Sequence, residues 1–348
     1  MATTIPLRVE DAPAPRDLRG RALTDLRISV LDRCNFRCPY CMPEEQYPRD
    51  HEFLGKADRL RFEEIERLAR VFARLGVRKL RLTGGEPLLR RELPELVRRL
   101  AGVPGIEDLA LTTNGSLLAA QAAALRAAGL GRITLSLDTL DAATFRTLSG
   151  GRGEVADVLA GIDAAVDAGF GRLKINCVVM RGINDAHAIG LLEHFRGSGH
   201  VVRFIEYMDV GTCNGWQRDR VVPSAELRAR IHARWPLVPL EPDHASDVAR
   251  RFAFEDGRGE TGFISSVSAP FCGDCTRARL SADGKLYTCL FASAGHDLRS
   301  ALRAGADDAE LARLVAAVWT ARADRYSEVR SDAAAIARER IEMYAIGG

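Results

Sequence analysis

From residue 26 to residue 235 the chain moves between two hydrophobic rhythms. Short runs rich in leucine and β-branched residues fall at 26–31, 79–83, 109–113, 133–138, 173–179 and 201–207, which the period and the turn residues around them make strands. Between and after these runs, apolar residues recur at helical spacing over 63–75, 91–100, 117–128, 155–168 and 224–235, with a further helix-like stretch at 142–148. Strands alternating with helices of about ten to fifteen residues imply βαβ units with right-handed crossovers, and hence a parallel sheet. Six such units predict an α/β fold of the partial (βα)6 TIM-barrel type, with the chemistry on loops at the C-terminal ends of the strands.

Beyond this region the rhythm stops. Pro236, Pro239 and Pro242, followed by the charged, glycine-containing stretch 243–262, read as a linker and irregular loops. Asp283-Gly284 marks a hairpin turn between two short strands, and 307–323 is helical by period. Residues 1–25, with Pro6, Pro13 and Pro15 among charges, read as an extended tail. The expected organisation is therefore an N-terminal tail (1–25), a barrel (26–235) and a C-terminal extension (236–348).

Alternation within the strands singles out side chains. Residues two apart share a face, which pairs Arg27 with Ser29, Arg81 with Thr83, Ser136 with Asp138 and Lys174 with Asn176. A charge pointing into a barrel is costly unless it meets a counter-charge or a ligand, so Arg81 and Lys174 are candidate anion ligands. The unusual polar residues gather where strands end, in Thr83-Gly84-Gly85-Glu86-Pro87, Thr112-Thr113-Asn114-Gly115, Ser136-Leu137-Asp138 and Glu206-Tyr207-Met208. In the first of these strand ends, Gly84-Gly85-Glu86-Pro87 offers unobstructed N–H groups and a carboxylate able to hold an ammonium group.

Composition narrows the partners. The formal net charge of +2 over 348 residues gives no bulk electrostatic case for nucleic acid or membrane. No stretch approaches eighteen apolar residues and the first twenty lack a signal-type apolar run, so a cytoplasmic protein without membrane attachment is expected. Only four of the 49 basic residues are lysines, Lys56, Lys79, Lys174 and Lys285. Gly151-x-Gly153-x-x-Ala156 follows a helix-like stretch rather than a strand, so it lacks the context of a dinucleotide fingerprint, and no Walker loop is present.

Six of the eight cysteines fall into two groups, Cys34-x3-Cys38-x2-Cys41 and Cys272-x2-Cys275-x13-Cys289. Thiolates so crowded favour an iron–sulfur cluster or zinc. A structural zinc site takes four protein ligands, so three leave either a missing partner or an iron open to a substrate. Cys177 reads as a small core residue and Cys213 as a lone loop thiol. Arg277 and Arg279, just after Cys275, present forked cations suited to phosphate and base edges. Gly347-Gly348, by itself, reads as a frayed end.

The opening LRIS…DRCNFRCPYCMP, then RLTGGEPLLR, LTTNG, SLD, KIN, RFIEYMDVG, the Cys272-x2-Cys275-Thr-Arg-Ala-Arg segment with Cys289, and the terminal Gly-Gly together resemble the radical S-adenosylmethionine (SAM) superfamily. Within it they are similar to the GTP 3′,8-cyclase family of molybdenum cofactor (molybdopterin) biosynthesis, over nearly all of residues 26–348. Leu31 stands where that family usually has Thr. The resemblance implies two [4Fe–4S] clusters. Cys34, Cys38 and Cys41 would hold the one that chelates SAM, and Cys272, Cys275 and Cys289 the one that meets the guanine. It further implies that Tyr40, Gly85, Ser136 and Met208 line the SAM site and that Arg27, Arg81, Thr112, Lys174, Arg277 and Arg279 contact GTP. An external one-electron reductant would trigger cleavage of SAM to a 5′-deoxyadenosyl radical, which removes the C3′ hydrogen of GTP so that C3′ attacks C8. A downstream pyranopterin-forming enzyme would consume the cyclised nucleotide. A homodimer, and entry of the Gly-Gly end into the active site, are also implied.

Two other readings compete. A peptide-modifying radical enzyme with an auxiliary cluster would carry more than the three cysteines found after residue 260. A non-catalytic iron–sulfur or zinc module touching RNA through its arginines would need neither the six strand–helix units nor the GGEP loop.

Overall fold

The computed structural model describes residues 14–243, 247–330 and 340–347. Its six central strands are β1 (Asp25–Ser29), β2 (Lys79–Thr83), β3 (Asp108–Thr113), β4 (Arg132–Ser136), β5 (Lys174–Val179) and β6 (Val201–Glu206). They pair in chain order and in parallel, as in a partial TIM-type barrel. Each expected strand is present, with no end differing by more than two residues.

Helices cover the outer face: α1 (Phe62–Arg74), α2 (Leu93–Ala101), α3 (Ala122–Ala127), α4 (Ala142–Ser149), α5 (Val155–Asp167), α6 (Ala188–Phe195) and α7 (Ser224–Arg234). In α1 the stripe Ile65, Leu68, Ala69 and Phe72 is buried against the sheet. Its start is fixed by the Glu64 carboxylate, which accepts from the Arg61 N–H at 2.7 Å. The helix expected over 117–128 is confined to Ala122–Ala127, and residues 116–121 are turns that follow an Asn114 Oδ1 acceptor for the Ser116 N–H at 3.1 Å. The α6 helix was not expected, since 188–195 is apolar nearly throughout and shows little helical contrast.

The region beyond residue 236 extends the same sheet at both edges. At one edge, β6 pairs in parallel with β9 (Glu260–Ile264), followed by β8 (Arg250–Phe254) and β7 (Leu237–Leu240), both antiparallel. These strands replace the expected linker and irregular loops. Pro239 sits in β7, an outermost strand, where a missing N–H is tolerated. At the other edge, β1 pairs in parallel with β10 (Arg277–Leu280), which continues through the Asp283-Gly284 turn into β11 (Lys285–Tyr287) and then β12 (His296–Asp297). The result is one twelve-stranded sheet, β12-β11-β10-β1-β2-β3-β4-β5-β6-β9-β8-β7.

After β12 come α8 (Leu298–Arg303) and α9 (Asp308–Thr320), then a terminal turn of helix, Met343–Ile346. Residues 14–24, expected as tail, pack on the body: the Trp319 indole N–H donates to Arg21 O at 3.0 Å and the Thr24 N–H to Thr276 O at 3.2 Å. Among the described residues no helix is long and apolar enough to cross a membrane.

Candidate active site

A cavity of about 1080 Å³ runs along the inner face of the sheet, larger than a pocket for one small ligand requires. All sixteen residues singled out for metal, SAM or GTP line it.

The first cysteine loop follows β1 and is held by the loop after β2. The Gly85 N–H donates to Leu31 O at 2.7 Å and the Glu86 N–H to Arg33 O at 2.9 Å. A Cβ on Gly84 or Gly85 would run into the carbonyl oxygens of Leu31 and Arg33, so the double glycine is required by the close approach of two backbones. These two donors are spent inside the protein. The Glu86 carboxylate is buried as well, accepting from the Leu88 N–H, the Thr113 hydroxyl and the Asn114 N–H at 2.7–3.0 Å. Burial pushes Glu86 up to about 7 against those hydrogen bonds.

Burial, with mutual repulsion among the thiolates, raises Cys38 and Cys41, and burial with the nearby Glu86 charge raises Cys34 to about 12. Such thiols deprotonate only when a positive centre compensates. Among the described residues no three His, Cys, Asp or Glu converge tightly enough for a single ion. Thiolates are soft donors of the kind that iron–sulfur clusters take. The donor set fits an iron–sulfur cluster. Beside it, the Tyr40 hydroxyl donates to Asp138 Oδ2 at 2.7 Å while the Val178 N–H donates to Oδ1 at 2.8 Å. Burial lifts Asp138 to about 6. Ser136, opposite Asn176 in the β4–β5 register, and Met208, after β6, complete this end of the cavity.

Strand register builds the rest. Arg27 on β1 is flanked by Arg279 on β10 and Arg81 on β2, and Asp25 by Arg277 and Lys79. On β4, Thr134 pairs with both Thr112 and Lys174, and on β5 Asn176 pairs with Arg203. Paired residues share a face, so a row of cations crosses the sheet. Some have work already: Arg81 donates to the Thr112 and Thr134 hydroxyls at 3.0 and 3.1 Å, and Arg203 to Asn176 Oδ1. Lys79 pairs with Asp25 at 3.1 Å.

Among the described residues, however, no carboxylate stands within ion-pair distance of Arg27, Arg81, Lys174, Arg277 or Arg279. The Arg27 Nε–H is buried with no acceptor. Desolvation, followed by repulsion within the row, brings Lys174 down to about 8, Arg203 to about 9 and Arg279 to about 10. The register places the Asp25 carboxylate within this cationic row, and the excess of positive charge suits a polyanion.

The second cysteine group lies at the edge of this row. Burial raises Cys289 to about 12, whereas for Cys275 the Arg277 and Arg322 charges outweigh burial and bring the thiol to about 7. A buried ion triad sits beneath it, and sequence reasoning missed it. Asp17 accepts from Arg21 Nε at 2.6 Å and from Arg322 at 3.3 Å. The two arginines in turn hold the carbonyls of Cys272 and Cys275 at 2.6 and 2.7 Å, and Arg322 reaches Cys275 Sγ at 3.3 Å.

The chain's end comes to the same place. Arg279 donates to the carbonyls of Ile346 and Gly347, and a Cβ on Gly347 would collide with Thr83. Gly348 lies outside the described residues. Glu342 anchors this turn, accepting from the Thr212 N–H and hydroxyl and from the Cys213 N–H and thiol at 2.8–3.2 Å. Cys213 therefore serves the tail contact, and Cys177 is fully buried in the core.

The sequence matches the Radical SAM superfamily over residues 28–195 and the Molybdenum Cofactor Synthesis C family over residues 200–328. It is 61% identical over 333 residues to a GTP 3′,8-cyclase of Xanthomonas campestris pv. campestris, covering 96% of this chain and 97% of that one. The GTP 3′,8-cyclase of Acidothermus cellulolyticus is 56% identical, with 91% and 88% covered, and that of Staphylococcus aureus 45% identical, with 96% and 98% covered. Among solved structures, Streptococcus suis SuiB bound to precursor peptide SuiA superposes with a TM-score of 0.58 at 15% identity, covering 90% of this chain and 68% of that one. That is a likeness of fold. The chain belongs to the GTP 3′,8-cyclase family of the radical SAM superfamily.

Proposed function

We propose that this chain cyclises GTP to (8S)-3′,8-cyclo-7,8-dihydroguanosine 5′-triphosphate, the first step of molybdenum cofactor biosynthesis. As a radical SAM enzyme it uses S-adenosylmethionine and an iron–sulfur cluster. The reading assigns one [4Fe–4S] cluster to Cys34, Cys38 and Cys41 and a second to Cys272, Cys275 and Cys289. When bound, the first cluster and SAM supply the carbon radical that takes the C3′ hydrogen of the ribose.

The remaining work falls to the protein. Tyr40, Gly85, Ser136 and Met208 flank the SAM end of the cavity, with Tyr40 held in place by Asp138. Arg27, Arg81, Lys174, Arg277 and Arg279 neutralise the triphosphate and fix the distance of the ribose from the SAM end, while Thr112 orients Arg81 through the hydroxyl it offers. The sheet and the docked tail keep water from the radical. A homodimer, an external one-electron reductant, a downstream pyranopterin-forming enzyme and a cytoplasmic setting complete the reading.

The observation that carries it is the row of cations, five of them without a carboxylate at ion-pair distance among the described residues, that lines one cavity with the first cysteine loop. The test is 5′-deoxyadenosine release by anaerobically reconstituted protein with SAM and a strong reductant. Stimulation by GTP with accumulation of the cyclised triphosphate is expected. Release that ignores GTP would sink the substrate assignment.

A further inference from the structure

A smaller, outer pocket of about 460 Å³ is built by the loop after β1 together with Arg152 from the loop after α4, and is lined among others by Arg33, Arg37, Arg49, Phe53 and Cys34. Two of its arginines are committed. Arg152 donates to both oxygens of Glu44 at 2.6 and 2.8 Å, and Arg37 holds the carbonyls of Tyr47, Cys34 and Phe36 at 2.7–2.9 Å. Arg33 and Arg49 are exposed, and among the described residues neither has a carboxylate within ion-pair distance. Arg33 lies over the Phe53 ring at 5.4 Å, which holds its charge at the rim. Against four guanidinium groups, Glu44 is the one carboxylate bound to the pocket's arginines.

Cys34 lines both this pocket and the barrel cavity, and it alone of the outer pocket's residues does so. Here the wall between solvent and the first cysteine site is a single residue thick. The reaction proposed above takes one electron from outside in each turnover, yet must keep water from its radical. A cationic recess that touches a ligating residue without opening into the cavity meets both demands.

We propose that the rim formed by Arg33 and Arg49 docks an acidic one-electron carrier protein, which delivers its electron through Cys34. The inference rests on the function proposed above. In the step the carrier is oxidised by one electron and the cluster held by Cys34, Cys38 and Cys41 is reduced by one. No bond forms or breaks and no proton moves. Complementary charge steers the encounter and sets its dependence on salt.

The test uses the reconstituted holoenzyme and its Arg33→Glu/Arg49→Glu variant, with reduced flavodoxin as the acidic carrier. Stopped-flow absorbance follows cluster reduction, a readout independent of GTP turnover. With wild type the second-order rate falls as salt rises. With the variant it is lower by about tenfold or more at low salt, and its salt slope is flat or inverted. The cationic methyl viologen radical reduces the variant at least as fast as wild type. Reduction of the variant by flavodoxin at the wild-type rate and salt slope overturns the proposal, as does an equal slowing with viologen, which locates the defect in the cluster. Absence of iron from the unmutated protein overturns instead the function on which the proposal rests.

Discussion

Lys174 offers a quantitative test of the cation row. Its ammonium sits on β5 beside Arg203, Arg132 and Arg81, and burial together with those charges brings it down to about 8. A bound triphosphate replaces repulsion with attraction and restores the value to at least ~10.4. Lys174 is therefore charged in the complex throughout, but in the free protein only below about pH 8. The sign follows: above that pH, binding must take up a proton, and affinity falls. By linkage the apparent dissociation constant scales as 1 + 10 raised to the power pH minus the free value, so it rises about tenfold between roughly pH 7 and roughly pH 9. Lys174→Arg keeps the charge, removes the titration and cancels whatever the nucleotide itself contributes.

The assay is calorimetric titration of GTP into reconstituted wild type and variant, in buffers of different ionisation enthalpy. Wild type is expected to take up about 0.9 proton near pH 9 beyond what the variant takes up. Parallel pH profiles for the two proteins would refute the reasoning, because they would show Lys174 either charged at all pH values or remote from the phosphates.

Three further outcomes follow from contacts already described. Cys272→Ser is expected to lower iron from about eight to about four atoms per chain while leaving SAM binding intact, as iron analysis and calorimetry will show. Asp17→Asn strands Arg21 and Arg322 in a buried site and is expected to cost about 3–5 kcal/mol, read as a lower denaturation midpoint. Glu342→Ala removes the acceptor of four hydrogen bonds. Loss of about 1.5–3 kcal/mol of tail docking should slow GTP cyclisation about tenfold or more and speed proteolysis at the C-terminus, at unchanged iron content.

The central strands and both cysteine groups were legible because each depends on local pattern: alternation, turn residues and spacing. Alternation also found Arg81 and Lys174, while Arg27 was placed by the family resemblance. Alternation would have found Arg203, which sits opposite Asn176, had the rule that paired Lys174 with Asn176 been applied to β6. What could not be read was register. That Arg27 lies between Arg81 and Arg279 depends on β1 pairing with a strand some 250 residues later. Asp17 and Arg21 were hidden in a proline-rich stretch whose partners, Arg322 and the cysteine carbonyls, lie near the other end of the chain. The strands β8 and β9 were masked by arginines and glycines, although Phe252 and Phe254 alternate as a half-buried strand should.

The placement of β9 and β10 on opposite edges of the six central strands also sets an order of events during synthesis. When β6 leaves the ribosome, the parallel sheet exists but β1 and β6 both present unpaired backbone, the state most prone to mispairing with another chain. The β6 edge is closed after about 60 further residues, the β1 edge only when residues near 280 appear. Pairing over such separations makes folding slow. The first three thiols, all before residue 42, are thus synthesised well before the strands that close either edge of the sheet.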